Sequence, residues 1–247
     1  MSDFSYKDID EVGLETLAVI ENANQFNNWM YDTIKPYLKG RVIEIGSGTG
    51  NISLFVLRDN FEVTLTDIRE NYRTILKAKF KDFNNLSKVT DIDIASPNFD
   101  DDYKDYVGQF DSLFCLNVIE HIKDDTLAMQ NCSKLLKSDG HLIILVPAYQ
   151  ALYNEFDRQL EHYRRYRLSS LVRIFPSQLW VIHKQHFNFV GIFGWFISGK
   201  ILGKKSIPSG QMKLYDKLVS LFRIIDASLL HKIGLSVIVV GRKMNGT

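Results

Sequence analysis

The chain has 247 residues, 45% of them apolar and 24% charged, an ordinary globular composition that leaves room for one sizeable α/β domain and excludes disordered and fibrous classes. Its 30 Lys and Arg residues against 29 Asp and Glu give a net charge of +1, so no global field draws it onto nucleic acid and any anion recognition is local. Met1 to Asp10 is polar and acidic without the basic start and apolar run of a secretory leader, which points to the cytoplasm; Cys115 and Cys132, in an apolar run and a helical pattern, read as structural thiols.

In chain order, Leu14 to Leu38 reads as helical, broken near Asn22 to Asn24 and ending around Pro36. Residues 1–38 are expected to form a helical lid. Strand-length apolar runs follow at Arg41 to Ile45, Phe61 to Thr66, Val89 to Ile94, Phe110 to Leu116, His141 to Val146, Leu179 to Phe187 and Leu235 to Val240. Helical patterns alternate with them at Asn51 to Arg58, Arg69 to Lys79 and Asp124 to Lys137, the last with an acidic start and a Lys137-Ser138-Asp139-Gly140 exit. Seven strands alternating with helices predict a mostly parallel sheet covered on both faces. The core is expected over 39–187 and 234–247, with 188–233 as a helical insertion or cap. Its longest uncharged stretch, Phe187 to Gly199, is too short to span a bilayer, but aromatic residues beside Lys200, Lys204 and Lys205 suit peripheral membrane contact through 188–205.

The first strand runs into Gly46-Ser47-Gly48-Thr49-Gly50, a glycine-rich turn at the place where an open α/β sheet binds its ligand. A dinucleotide fingerprint would put its third glycine one residue later, at Asn51, and no Gly-Lys-Ser/Thr follows, so neither a pyrophosphate motif nor a phosphate loop fits. The second strand ends at Asp67, 17 residues after Gly50 and placed for ribose hydroxyls; the third ends near Asp93, placed for an adenine amino group.

These segments, with Phe110 to Ile122 and Leu135 to Leu142, resemble the cofactor motifs of the class I S-adenosylmethionine-dependent methyltransferases, over about Lys39 to Val146. The resemblance implies a Rossmann-like fold whose seventh strand is antiparallel, inserted between the fifth and sixth. It implies that Gly46, Gly48 and Gly50 face the methionine part, Asp67 the ribose, Asp93 and Ile94 the adenine, and that Asn117 sits beside the sulfonium. Glu44, Ser47 and Ile68 complete that candidate set. Ser138-Asp139-Gly140 departs from the usual Pro-Gly-Gly turn.

Beyond the fifth strand, an aromatic and basic stretch contains Tyr153, His162, Tyr163, Arg164, Arg165 and Tyr166. The string Leu160-Glu161-His162-Tyr163-Arg164-Arg165-Tyr166 resembles a bacterial subgroup linked to glycosyltransferases, in which glycine commonly stands where this chain has Glu161. That resemblance implies O-methylation of a saccharide, phosphorylated sugar or glycolipid, with the tyrosines and arginines binding an anionic acceptor, since guanidinium suits phosphate and carboxylate. A small metabolite such as a phosphorylated compound, quinone or amine is the alternative acceptor; a non-catalytic cofactor-binding regulator is the alternative class. His162 and His121 are the candidate bases, as imidazoles titrate near neutrality. Some metal-dependent methyltransferases carry a Glu-x-x-Glu-His string; Asn117 replaces its first carboxylate, so Glu120, His121 and His162 as metal ligands form the minority reading beside a metal-free pocket. His183, His186 and His231 read as structural.

Overall fold

Arg41–Ile45 forms a strand buried on both faces, because Val42, Ile43 and Ile45 leave no polar face for solvent, as expected of a parallel sheet wrapped by helices. A computed structural model describes residues 11–204 and 208–244; Met1 to Asp10 and Lys205 therefore lie outside the described residues. The strands are β1 (Arg41–Ile45), β2 (Glu62–Thr66), β3 (Leu86–Thr90), β4 (Phe110–Leu116), β5 (Leu136–Pro147), β6 (Leu179–Phe187) and β7 (Ser236–Lys243). They form one sheet in the order β3-β2-β1-β4-β5-β7-β6, parallel except for β7, which runs antiparallel between β5 and β6.

The helices are α1 (Glu11–Glu21), α2 (Asn24–Ile34), α3 (Ser53–Arg58), α4 (Glu70–Lys79), α5 (Phe99–Asp102), α6 (Asp125–Leu135), α7 (Glu155–Gln159), α8 (Leu168–Arg173), α9 (Gly191–Trp195), α10 (Ser209–Lys217) and α11 (Val219–Ser228), with a π-helical turn at Phe196–Ile201. Alternate strand residues feed two apolar layers. Ile43, Leu113, Cys115, Ile144 and Val239 pack with α6 and α8; Val42, Val63, Phe114, Ile143 and Val240 pack with α2 and α3. Both cysteines are buried and free within this core.

Two boundaries differ most from expectation. The third strand is Leu86–Thr90, not Val89 to Ile94: Ile92 and Ile94 are buried in the loop beyond it, where they wall the ligand cavity. The α6 helix begins as expected, with Asp124 accepting from the Leu127 N–H at 3.0 Å, but ends at Leu135, and β5 starts at once. The Lys137 to Gly140 segment is thus the bulged start of a strand, not a helix cap. Asp139 takes the left-handed φ of 69° there, a conformation that costs a side chain. Lys39 and Arg242 both pair with its carboxylate.

Candidate active site

The strand order reverses between β1 and β4, which opens a crevice at their carboxyl ends where the glycine turn leaves β1. Gly46 has φ 72°, and a Cβ there would lie 2.4 Å from Val118 Cγ2, so conformation and space both demand glycine. Asp67, at the end of β2, accepts from the Gly48 N–H and the Arg69 N–H, both at 3.0 Å, and so pins the turn while lining the cavity. Burial raises its pKa above the usual carboxylate range, against the pull of those hydrogen bonds. Glu44 is buried beneath the turn, accepts from the Ser53 hydroxyl, and is pushed up to about 8 by desolvation.

The crevice is a cavity of about 420 Å³ lined by Glu44, Gly46, Ser47, Gly48, Asp67, Ile68, Asp93, Ile94 and Asn117, nearly the whole expected cofactor set. Gly50 is the correction. It does not line the cavity; a Cβ there would meet the Phe80 ring at 2.4 Å, so it is a packing glycine behind the turn. Arg69, Tyr72 and Ile92 line the same end without having been anticipated.

At the other end, Glu120, His121 and His162 meet, and all three line the cavity. The His121 and His162 rings stand edge to face with centroids 4.6 Å apart, and His162 Nε2 lies 4.0 Å from Glu120 Oε1. Glu120 is fully buried and neither carboxylate oxygen has a hydrogen-bond partner among the described residues; desolvation pushes its carboxyl up to about 7. Desolvation, with the neighbouring His162, lowers His121 to about 3.

His162 is aimed by a residue that sequence reasoning passed over. Asp157, in α7, accepts from His162 Nδ1 at 2.8 Å, from Arg165 Nη1 at 3.2 and 3.1 Å, and from the Asn154 N–H at 3.0 Å. Burial alone would raise its pKa, but His162 and Arg165 hold it below the usual range. The only available signal was an acidic residue three positions after Asn154, which completes a helix-capping exchange.

The expected acceptor-binding string divides. His162 and Arg165 line the cavity; Tyr153, Tyr163, Arg164 and Tyr166 do not. Arg164 donates to Asp125 at 2.8 Å and to the Lys123 carbonyl at 2.7 Å, Tyr166 donates to the same Asp125 oxygen, and Tyr153 donates to the His162 carbonyl. Arg165 is occupied by Asp157 and by the Ala148 and Leu235 carbonyls, with its guanidinium over the Trp195 ring. These contacts tie the string to the start of α6, to α7 and to the Ala148 and Leu235 carbonyls, so neither Arg164 nor Arg165 stands unpaired as an anion clamp. Glu161 has φ 60°, a left-handed conformation that glycine adopts at less cost than a side-chain-bearing residue.

Helices α1 and α2 and the insertion converge on the same cavity. Leu17 packs over Gly48, Asn51 donates to the Leu17 carbonyl at 3.3 Å, and Asp216 of α10 accepts from the Phe26 N–H at 2.8 Å. Trp195, Met212 and Tyr215 join Phe156 and Leu160 as an aromatic and apolar wall, with the amide of Gln211 among them. His183 stacks on Tyr37 and His186 bonds the Tyr149 hydroxyl, as structural histidines.

Residues 43–142 match the methyltransferase domain family. Two probable polyketide synthases of Dictyostelium discoideum, numbers 42 and 27, are 29% identical over 151 residues and 26% identical over 168, covering 53% and 59% of this chain. The chain spans 6% of the length of each. Among solved structures, a chain of the complex between the Haloferax volcanii Trm112 methyltransferase activator and a methyltransferase superposes with a TM-score of 0.64 at 15% identity, covering 98% of this chain and 100% of that one. Phosphoethanolamine N-methyltransferase 2 of Haemonchus contortus, in complex with S-adenosyl-L-methionine, gives 0.58 at 17% identity over 86% and 51%. The [4+2]-cyclase SpnF gives 0.58 at 16% over 88% and 80%. Such distant likenesses show the fold, and the cyclase among them is a reminder that the site, not the fold, sets the chemistry.

Proposed function

We propose that this chain, whose residues 43–142 match the methyltransferase domain family, is an S-adenosyl-L-methionine-dependent methyltransferase that methylates a hydroxyl of an amphiphilic small molecule of the glycolipid kind. One observation carries the reading: in a single cavity, a glycine turn flanked by carboxylates opens onto a buried Glu–His–His cluster and an apolar wall.

When bound, S-adenosyl-L-methionine supplies a methyl carbon made electrophilic by its sulfonium sulfur. The residues present suit that ligand. Asp67 keeps lone pairs for ribose hydroxyls beyond its two backbone partners. Ile68, Ile92 and Ile94 offer apolar walls for a flat base beside Asp93, and Asp67 supplies a carboxylate to a cationic ligand, while Glu44, pushed up to about 8 and bonded to Ser53, braces the turn. Helices α1 and α10 exclude water, which strengthens these interactions. The acceptor hydroxyl is held beside the Glu120–His121–His162 cluster and loses its proton there, and holding it in line accounts for most of the rate.

Two features favour an amphiphile. The wall around the cluster is Phe156, Leu160, Trp195 and Met212, and the outer surface that follows exposes Phe193, Phe196, Ile197, Ile201 and Leu202 beside Lys200 and Lys204, a pattern suited to an anionic bilayer. Among the described residues no helix is long and apolar enough to cross a membrane. A phosphorylated sugar held by Arg164 and Arg165 forms no part of this reading, because both guanidiniums are already occupied. The similarity to polyketide synthases also favours a small molecule, and a quinone-like acceptor, which the same apolar wall suits, is the second reading.

Methyl-labelled cofactor incubated with glycolipid extract, a hydroquinone or a soluble phosphorylated sugar tests it. Label in the glycolipid arm is expected. Label only in the sugar arm overturns the amphiphile, and label only in the hydroquinone arm selects the second reading. No label in any arm, with cofactor bound, supports a non-catalytic regulator.

A further inference from the structure

Among the described residues, Glu120 lines the cavity fully buried with neither carboxylate oxygen partnered, and an unpaired buried polar group costs free energy and an unpaired buried charge far more. Beside it stand two imidazoles, and one donor atom from each of Glu120, His121 and His162 lies within 4.8 Å of the other two. We propose that these three residues bind a divalent transition-metal ion of the zinc type, one per chain, at the acceptor end of the cavity.

Two imidazoles and one carboxylate form a donor set suited to zinc, cobalt or ferrous ions, whereas magnesium and calcium take oxygen ligands. The supporting contacts are those that hold metal-binding histidines. Asp157 accepts from His162 Nδ1 at 2.8 Å, which leaves Nε2 directed towards Glu120. Asp157 is fixed in place, because Arg165 donates to both of its oxygens and the Asn154 N–H donates to Oδ2. Metal–nitrogen bonds of about 2.0–2.1 Å give a tetrahedron with edges of about 3.3 Å, so binding draws the three donors together from their present span.

Three protein donors leave a coordination position open towards the cavity, as in catalytic sites. The methyltransferase reading supplies the use of that position, and this part of the inference rests on it. An acceptor hydroxyl coordinated there has its pKa lowered, and its proton passes to solvent water. The oxygen then bonds to the methyl carbon as the carbon–sulfur bond breaks, with that bond's electron pair remaining on sulfur. The three residues act as ligands, and none needs to be the base.

The test is titration of the purified full chain, stripped with a chelator, with Co²⁺ alone, read by visible absorption and by metal content after gel filtration. One Co²⁺ per chain is expected, displaced by Zn²⁺ and weakened about tenfold or more in Glu120→Gln and in His162→Asn. Circular dichroism checks folding, and His121→Asn replaces whichever variant fails to fold. Folded wild-type protein that takes up no Co²⁺, or uptake unchanged in either folded variant, overturns the site. Cofactor binding in the same samples is scored separately: its absence with Co²⁺ uptake retained overturns the methyltransferase reading and leaves the metal site standing.

Discussion

Replacing Asp157 by alanine should be among the most destabilising single changes in the chain. The carboxylate is fully buried and the Arg165 side chain is 1% exposed, so the truncation strands a guanidinium in the interior with only the Ala148 and Leu235 carbonyls for partners. Breaking a buried pair from one side costs about 3–5 kcal/mol. Arg165→Met removes the other partner and should cost a similar amount. The double variant Asp157→Leu/Arg165→Met strands no charge, leaving mainly neutral groups such as the Asn154 N–H. It should therefore be more stable than the sum of the singles implies by about 2–3 kcal/mol. Urea unfolding at neutral pH, followed by circular dichroism, gives all four corners of the cycle. Additive losses, or a loss below about 1 kcal/mol for Asp157→Ala, would refute the argument that this ion pair anchors the loop.

Other consequences are as direct. Glu44 has a folded pKa raised to about 8 from 4.5, so its contribution to stability is fully present below about 4.5 and is lost as pH rises towards 8. Glu44→Gln removes that dependence, and its stability relative to wild type should rise by about 3 kcal/mol between pH 5 and pH 7.5; parallel pH profiles in the urea assay contradict this. Glu161→Gly relieves a left-handed side chain and should raise the unfolding free energy by up to about 1 kcal/mol, because the φ gain is partly offset by backbone entropy, while Glu161→Ala should not. Gly46→Ala should cost about 2–4 kcal/mol through φ strain and overlap with Val118, and adding Val118→Ala should recover part of the overlap cost but none of the strain.

Legibility in the sequence follows from how local each signal is. Strands β1, β4 and β6 are bounded as their apolar runs predict; β1 and β4 are packed along their lengths, while β6 is half-exposed and buried mainly at its ends. At the β3 edge the pattern misleads: the strand is half exposed, and the apolar residues beyond it belong to the cavity wall. Glu44, Gly46 and Asp67 are readable because a turn geometry and a strand end specify them. Gly50 looks identical in sequence, yet it faces Phe80 across the chain. The aromatic and basic string shows residue types but not directions, so its readiest anion binder, Arg164, proves to be tied to Asp125. Asp157 gains its role only through three partners brought to it by the fold.

The central claim is most directly tested by titrating S-adenosyl-L-methionine calorimetrically into wild-type protein and into Asp67→Asn. Saturable one-site binding is predicted, weakened about tenfold or more in the variant through lost hydrogen bonds to a charged carboxylate. No heat of binding with well-folded wild-type protein, or equal affinity in both proteins, would contradict it.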